Sequence, residues 1–230
     1  QELLTSKLLF EPLKENLKEV KILGTPTILH KNSFNSFKQL EDILIPTSLT
    51  RIGQEAIVKC PKMQRLIIPE TVKFIEKNSI EKCEHLKTFK CPHHLLENLP
   101  KEQIVELEIT SSTSNELKEN DIKGMKNLLS LSLPVNIEKI PVNMFEECQD
   151  LEELSCSLKL FDNISEDHKR RLKTVNFPYD KEFNSNILSS LNNVNEIKVK
   201  YGNDIDEKKK NQKKEQTKAK DITQYDRNNS

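Results

Sequence analysis

Apolar residues recur along this chain with a beat too long for any single helix or strand. Counting Leu40 as position zero, apolar side chains fall at positions three and five (Ile43, Ile45), nine (Leu49) and twelve (Ile52). Pro46 stands at position six and Cys60 at twenty. Met63 restarts the count and repeats it with Leu66, Ile68, Pro69, Val72, Ile75 and Cys83. Leu86 opens a unit with Phe89, Cys91, Pro92 and Leu95; Leu128 opens one with Leu131, Leu133, Pro134, Ile137, Ile140 and Cys148. Weaker units then emerge at Leu17, Ile104, Leu151, Leu172 and Val194. Starts recur roughly every 23 residues, with one short interval after Leu86, and a period of that length is the mark of stacked supersecondary units.

The residue types say what each unit does. Positions three and five lie on one face of a short strand, because strand side chains alternate. Proline at position six cannot donate to a ladder and so ends the strand at a fixed place. It occupies that position in five units: Pro46, Pro69, Pro92, Pro134 and Pro178. Positions nine and twelve bury a second short segment, and positions sixteen to twenty are expected to close the coil with a turn or short helix. No coil can bury its apolar side alone, so parallel stacking at about 4.8 Å builds one continuous core. Nine strands would make a single sheet roughly 40 Å across on that spacing.

Three copies carry the pattern in full: "LEDILIPTSLTRIGQEAIVKCPKM" from Leu40, "MQRLIIPETVKFIEKNSIEKCEHL" from Met63 and "LLSLSLPVNIEKIPVNMFEECQDL" from Leu128. This unit resembles the BspA-like leucine-rich repeat, over about residues 17 to 200. The resemblance implies an α/β leucine-rich-repeat right-handed solenoid, with a curved parallel β-sheet of short strands and about 23 residues per coil. The expected organisation is one solenoid domain over 1–202, its first coil (1–16) partial, and a charged, disordered tail over 203–230. The short unit at Leu86 and the proline-less one at Ile104 are expected to bulge or break the regular curvature.

Composition narrows the function. With 36 basic and 36 acidic residues the chain has no net pull towards nucleic acid or membrane, and aromatics make up 5% with no Trp. No apolar run is long enough to span a bilayer. Only four glycines are present, and neither Gly-rich phosphate-binding motif occurs. No nucleophile motif stands out, so no enzyme, cofactor or small-molecule substrate is expected. All five cysteines fall on repeat positions: Cys60, Cys83 and Cys148 at twenty, Cys91 and Cys156 at five. That points to small buried thiols rather than a disulfide framework. His85, His93 and His94 beside Cys83 and Cys91 invite a zinc reading, but the cysteines point inward and adjacent histidines diverge, so no metal is expected.

The solvent side of the strands falls at positions two and four. Most residues there are polar; Leu44 and Ile67 are the exceptions, on neighbouring strands. The candidate partner-binding residues are therefore Asp42, Leu44, Arg65, Ile67, Thr88, Lys90, Glu106 and Glu108, and the expected partner is another protein bound by a monomer on the concave face. The resemblance implies a surface adhesion protein. The odd number of cysteines and the tail lysines 208, 209, 210, 213 and 214 favour instead an intracellular scaffold or regulatory subunit, cytoplasmic or nuclear. A nucleic-acid binder acting through the tail is the third reading.

Overall fold

The structure is a computed structural model that describes residues 13–178 and 194–200. The beginning of the partial first coil and the Lys-rich tail lie outside the described residues. Each of the first three units lays down three short strands. They are β1 (Glu19–Lys21), β2 (Ile28–Leu29) and β3 (Phe34–Asn35), then β4 (Asp42–Leu44), β5 (Arg51–Ile52) and β6 (Ile57–Val58), then β7 (Arg65–Ile67), β8 (Phe74–Ile75) and β9 (Ile80–Glu81). Later units keep the first strand and change the return. They run β10 (Thr88–Cys91), two 3-10 turns (His93–Asn98, Lys101–Gln103), β11 (Glu106–Ile109), helix α1 (Glu119–Ile122) and β12 (Ser130–Ser132). The chain continues through β13 (Glu153–Ser155), helices α2 (Leu158–Asp162) and α3 (Glu166–Lys169), β14 (Thr174–Pro178) and β15 (Glu196–Lys200).

Equivalent strands pair in parallel, position for position. In the first ladder Leu66 pairs with Phe89, Phe89 with Leu107, Leu107 with Leu131, Leu131 with Leu154, Leu154 with Val175 and Val175 with Ile197. The periodic apolar residues fill the interior: Leu40, Leu49, Ile52, Met63, Leu66, Val72, Leu128 and Ile137 are fully excluded from solvent. Every strand expected at positions three to five is present. The single nine-stranded sheet is not: the first ladder divides into β1–β4 and a seven-stranded sheet from β7 to β15.

The division has a local cause. Asp42 and Leu44 direct their backbone groups towards β1, which leaves Ile43 N–H facing β7. Ile43 N–H donates instead to Oδ1 of Asp42 at 2.9 Å, and Oδ2 of the same carboxylate receives Arg65 Nη2 at 2.6 Å. The side chain of Asp42 thus takes the donor that a continuous ladder would use. β5–β8 and β6–β9 carry the stack across this seam.

The closing segment differs from the expectation of a turn or short helix. In the first three units it is a strand, and the third ladder β3–β6–β9 runs through all of them. Its corners are left-handed residues at positions fifteen and nineteen: Asn32 and Ser36, Glu55 and Lys59, Asn78 and Lys82, with φ from 53° to 66°. Each such corner costs an L-residue about 1–2 kcal/mol, which the ladder bonds beside it offset. Ile57 N–H, for example, donates to Ser79 O at 2.8 Å, and Phe34 N–H to Ala56 O at 2.7 Å. Helices and turns take over from the unit at Leu86. The next unit already begins at Ile104, which leaves too little chain for three strands and their corners. There the second and third ladders stop, while the first continues in register through Thr88–Glu106.

Candidate recognition face

The outward side chains of the first ladder form two rows across the strands, at positions two and four. At the β7 end of the seven-stranded sheet they border a groove of about 410 Å³. Its floor is Leu66, Phe89 and Leu107, and its walls are Arg65, Ile67, Thr88, Lys90, Glu106, Glu108, Ser130 and Ser132. Six of the eight residues expected at a partner site therefore come together. Asp42 and Leu44 stand outside the groove, on the far side of the seam.

Two ion pairs link neighbouring strands along this face. Asp42 receives Arg65 through both Nε (3.2 Å) and Nη2 (2.6 Å), and Lys90 Nζ lies 2.6 Å from Glu108. The Arg65 guanidinium is pushed to a higher pKa by its hydrogen bonds to Asp42. Glu106 accepts from the Thr88 hydroxyl at 3.0 Å, a neutral donor. Two apolar side chains interrupt the polar rows: Leu44 is 53% exposed and Ile67 47%.

Sequence reasoning left out two features. Ser130 and Ser132 complete the far wall, and their small size opens the space there; serine in a strand gives no advance signal of that. Phe74, 68% exposed, lies on the second ladder in register with Arg51 and Ile28. Its place at position eleven, just before the buried Ile75, was the available sign.

The profile of the BspA type Leucine rich repeat region (6 copies) matches residues 7–103 and 101–195. The chain belongs to the BspA-type leucine-rich repeat family. No curated protein matches it. Among solved structures, it is similar to a leucine rich cell surface protein from Faecalibacterium prausnitzii, at 15% identity over 82% of this chain and 61% of that one, with a TM-score of 0.35. A leucine-rich repeat protein from Bacteroides ovatus is 18% identical over 80% and 61%, with a TM-score of 0.33. Another from Eubacterium ventriosum is 13% identical over 81% and 68%, with a TM-score of 0.29. The chain thus spans about three fifths of the length of the first two.

The BspA-type repeat accounts for the residues that could have suggested other chemistry. All five cysteines are buried thiols outside any disulfide. Burial pushes the Cys91 thiol up to about 12 and Cys148 up to about 11. Cys60 and Cys83 stack one unit apart, and each thiol donates to main-chain carbonyls, Cys60 to Phe34 O at 3.1 Å and Cys83 to Glu81 O at 3.4 Å. The histidines diverge: His93 reaches Ser112 Oγ and Asp121 Oδ2, each at 2.8 Å, while His94 Nε2 meets Val72 O at 3.0 Å. Among the described residues no group of three or more His, Cys, Asp or Glu is placed to hold a metal ion. Nor is any helix among them long and apolar enough to cross a membrane.

Proposed function

We propose that this chain is a non-catalytic protein-recognition module: a right-handed solenoid of about 23 residues per coil that binds another protein, as a monomer, on the outward face of its first ladder. One observation carries the reading. Three of the four charges that wall the groove, Arg65, Lys90 and Glu108, are already neutralised within the sheet, with the exposed Ile67 at its edge and Leu44 on the next strand. Paired charges resist burial less than free ones, and exposed apolar side chains gain from it. The leucine-rich repeat family supports protein interaction as the general role.

Surface adhesion is the preferred setting, on the family's usual occurrence. An intracellular scaffold is the second reading, supported by five buried thiols, none in a disulfide, which need no oxidising compartment. The test is Leu44→Asp and Ile67→Asp. Both should cut partner binding at least tenfold while circular dichroism stays unchanged. Unfolding would remove the surface assignment, and undiminished binding would remove the site. Surface labelling of intact cells separates the two settings.

A further inference from the structure

Resting on that recognition reading, we infer that the partner segment is extended and carries an apolar side chain and a cation about 12 Å apart, seated against Ile67 and Glu106. The charge balance of the groove supports this choice of occupant. Of its two carboxylates, Glu108 is ion-paired with Lys90, whereas Glu106 has only the Thr88 hydroxyl among the described residues. Both groove cations, Arg65 and Lys90, already hold acids at 2.6 Å. An incoming anion would have to displace a carboxylate; an incoming cation finds Glu106 waiting. The Ser130 hydroxyl, on the strand paired with Glu106, has no partner among the described residues and can accept from the same cation. Glu153 continues the acidic row one strand further.

The spacing follows from the ladder. Ile67 and Glu106 lie two strands apart, about 9.6 Å, and are offset by two residues along the strand, about 6.7 Å. The diagonal is about 12 Å on those spacings. Residues i and i+4 of an extended chain share a face about 13 Å apart, within reach of a flexible Lys or Arg. Ile205 and Lys209 of this chain have that spacing in sequence but not the reach. Ile205 is five residues past Lys200, about 17 Å of chain at most, whereas six strand spacings from β15 to β7 come to about 29 Å. That pair therefore cannot fill the groove.

The probe is the capped heptapeptide Ser-Leu-Ser-Thr-Ser-Arg-Ser, titrated at low salt into the full chain, with backbone amide shifts as the readout. Saturable shifts are expected at Ile67, Glu106 and Ser130. Binding should weaken about three- to fivefold in Glu106→Gln, the worth of an exposed ion pair, and fall with added salt. The analogue with Glu in place of Arg should bind more weakly still. Equal binding of both peptides, or an unchanged Glu106→Gln with a lost Ile67→Asp, overturns the cation while leaving the recognition face. Indifference to both substitutions overturns the face as well. Self-association of the free protein that Ile67→Asp abolishes overturns the assignment in favour of a second copy.

Discussion

The first three units and the later ones share one period and one core, yet they close differently. Before residue 86, each unit turns two left-handed corners and closes with a strand; after it, helices and turns take that place. All non-glycine residues with positive φ among the described residues belong to the first region. The first region therefore holds strained corners in place with three ladders, and the later one relies on the first ladder, an isolated parallel bridge between Glu116 and Lys139, and packing. Regular sequence does not mean a regular sheet, either. The break in the first ladder falls between the two best-matching units, where one aspartate diverts a backbone donor, and the ladder passes intact through the shortest unit.

The largest effect that would test this contrast comes from the third ladder. Ile57→Ala removes a fully buried side chain from its central strand and should cost about 2–5 kcal/mol in urea denaturation. A cost below about 1 kcal/mol would mean that this ladder does not hold the first region together. Gly53 comes next. A Cβ there would lie 2.8 Å from Leu29 O and 3.2 Å from Lys31 N, backbone atoms of the preceding unit that cannot yield cheaply. Gly53→Ala and Gly53→Asn should both destabilise by about 1–3 kcal/mol. Gly124, in the later region, is required for a different reason, φ of +89°, since a Cβ there would meet only Lys101 Cβ at an ordinary 3.9 Å. Gly124→Asn should therefore be milder than Gly124→Ala, since Asn tolerates the left-handed region. Equal penalties at both sites would erase the distinction.

A smaller and opposite effect is expected at the corners. Lys59→Asn should stabilise the chain by up to about 1 kcal/mol, seen as a rise of a few degrees in the thermal midpoint. Among the described residues of the later region no non-glycine residue has a positive φ, so no corresponding gain arises there. The smallest effect is acid sensitivity confined to that later region. Burial, then the nearby charge of Arg171, pushes His168 down from its usual value of 6.5. Its Nδ1 meets Ser165 Oγ at 2.5 Å, and its ring packs edge to face with that of Phe145. The folded state thus favours neutral His168: its contribution is complete above about pH 6.5 and is lost as pH falls below that. Midpoints measured down to about pH 5 should fall less steeply in His168→Gln than in the wild type.

The repeat was legible because burial and period impose the same apolar types at the same positions, and the strand from Glu19–Lys21 through Glu196–Lys200 lies where that pattern places it. The closing strands were less legible. Phe34, Ile57 and Ile80 at position seventeen fit a strand or a buried turn equally well, and what decides is the left-handed corner, made here by Glu, Lys and Ser as well as Asn. The ladder seam depends on a hydrogen bond from Ile43 N–H to Asp42, which no pattern of residue types encodes. At the candidate site, alternation placed Ile67 outside correctly. The depth of the groove depends on Ser130 and Ser132, whose small size matters only once the neighbouring strands are known.

Two exposed apolar residues of the first region offer the most direct test of where recognition occurs. Ile67 lies on the first ladder beside the groove, and Phe74, still more exposed, lies on the second. A photo-crosslinking residue placed at either position, with products identified by mass spectrometry, compares the two faces in the same folded chain. Recognition through the first ladder predicts a specific protein crosslink from position 67 and background from position 74. The reverse pattern would contradict it.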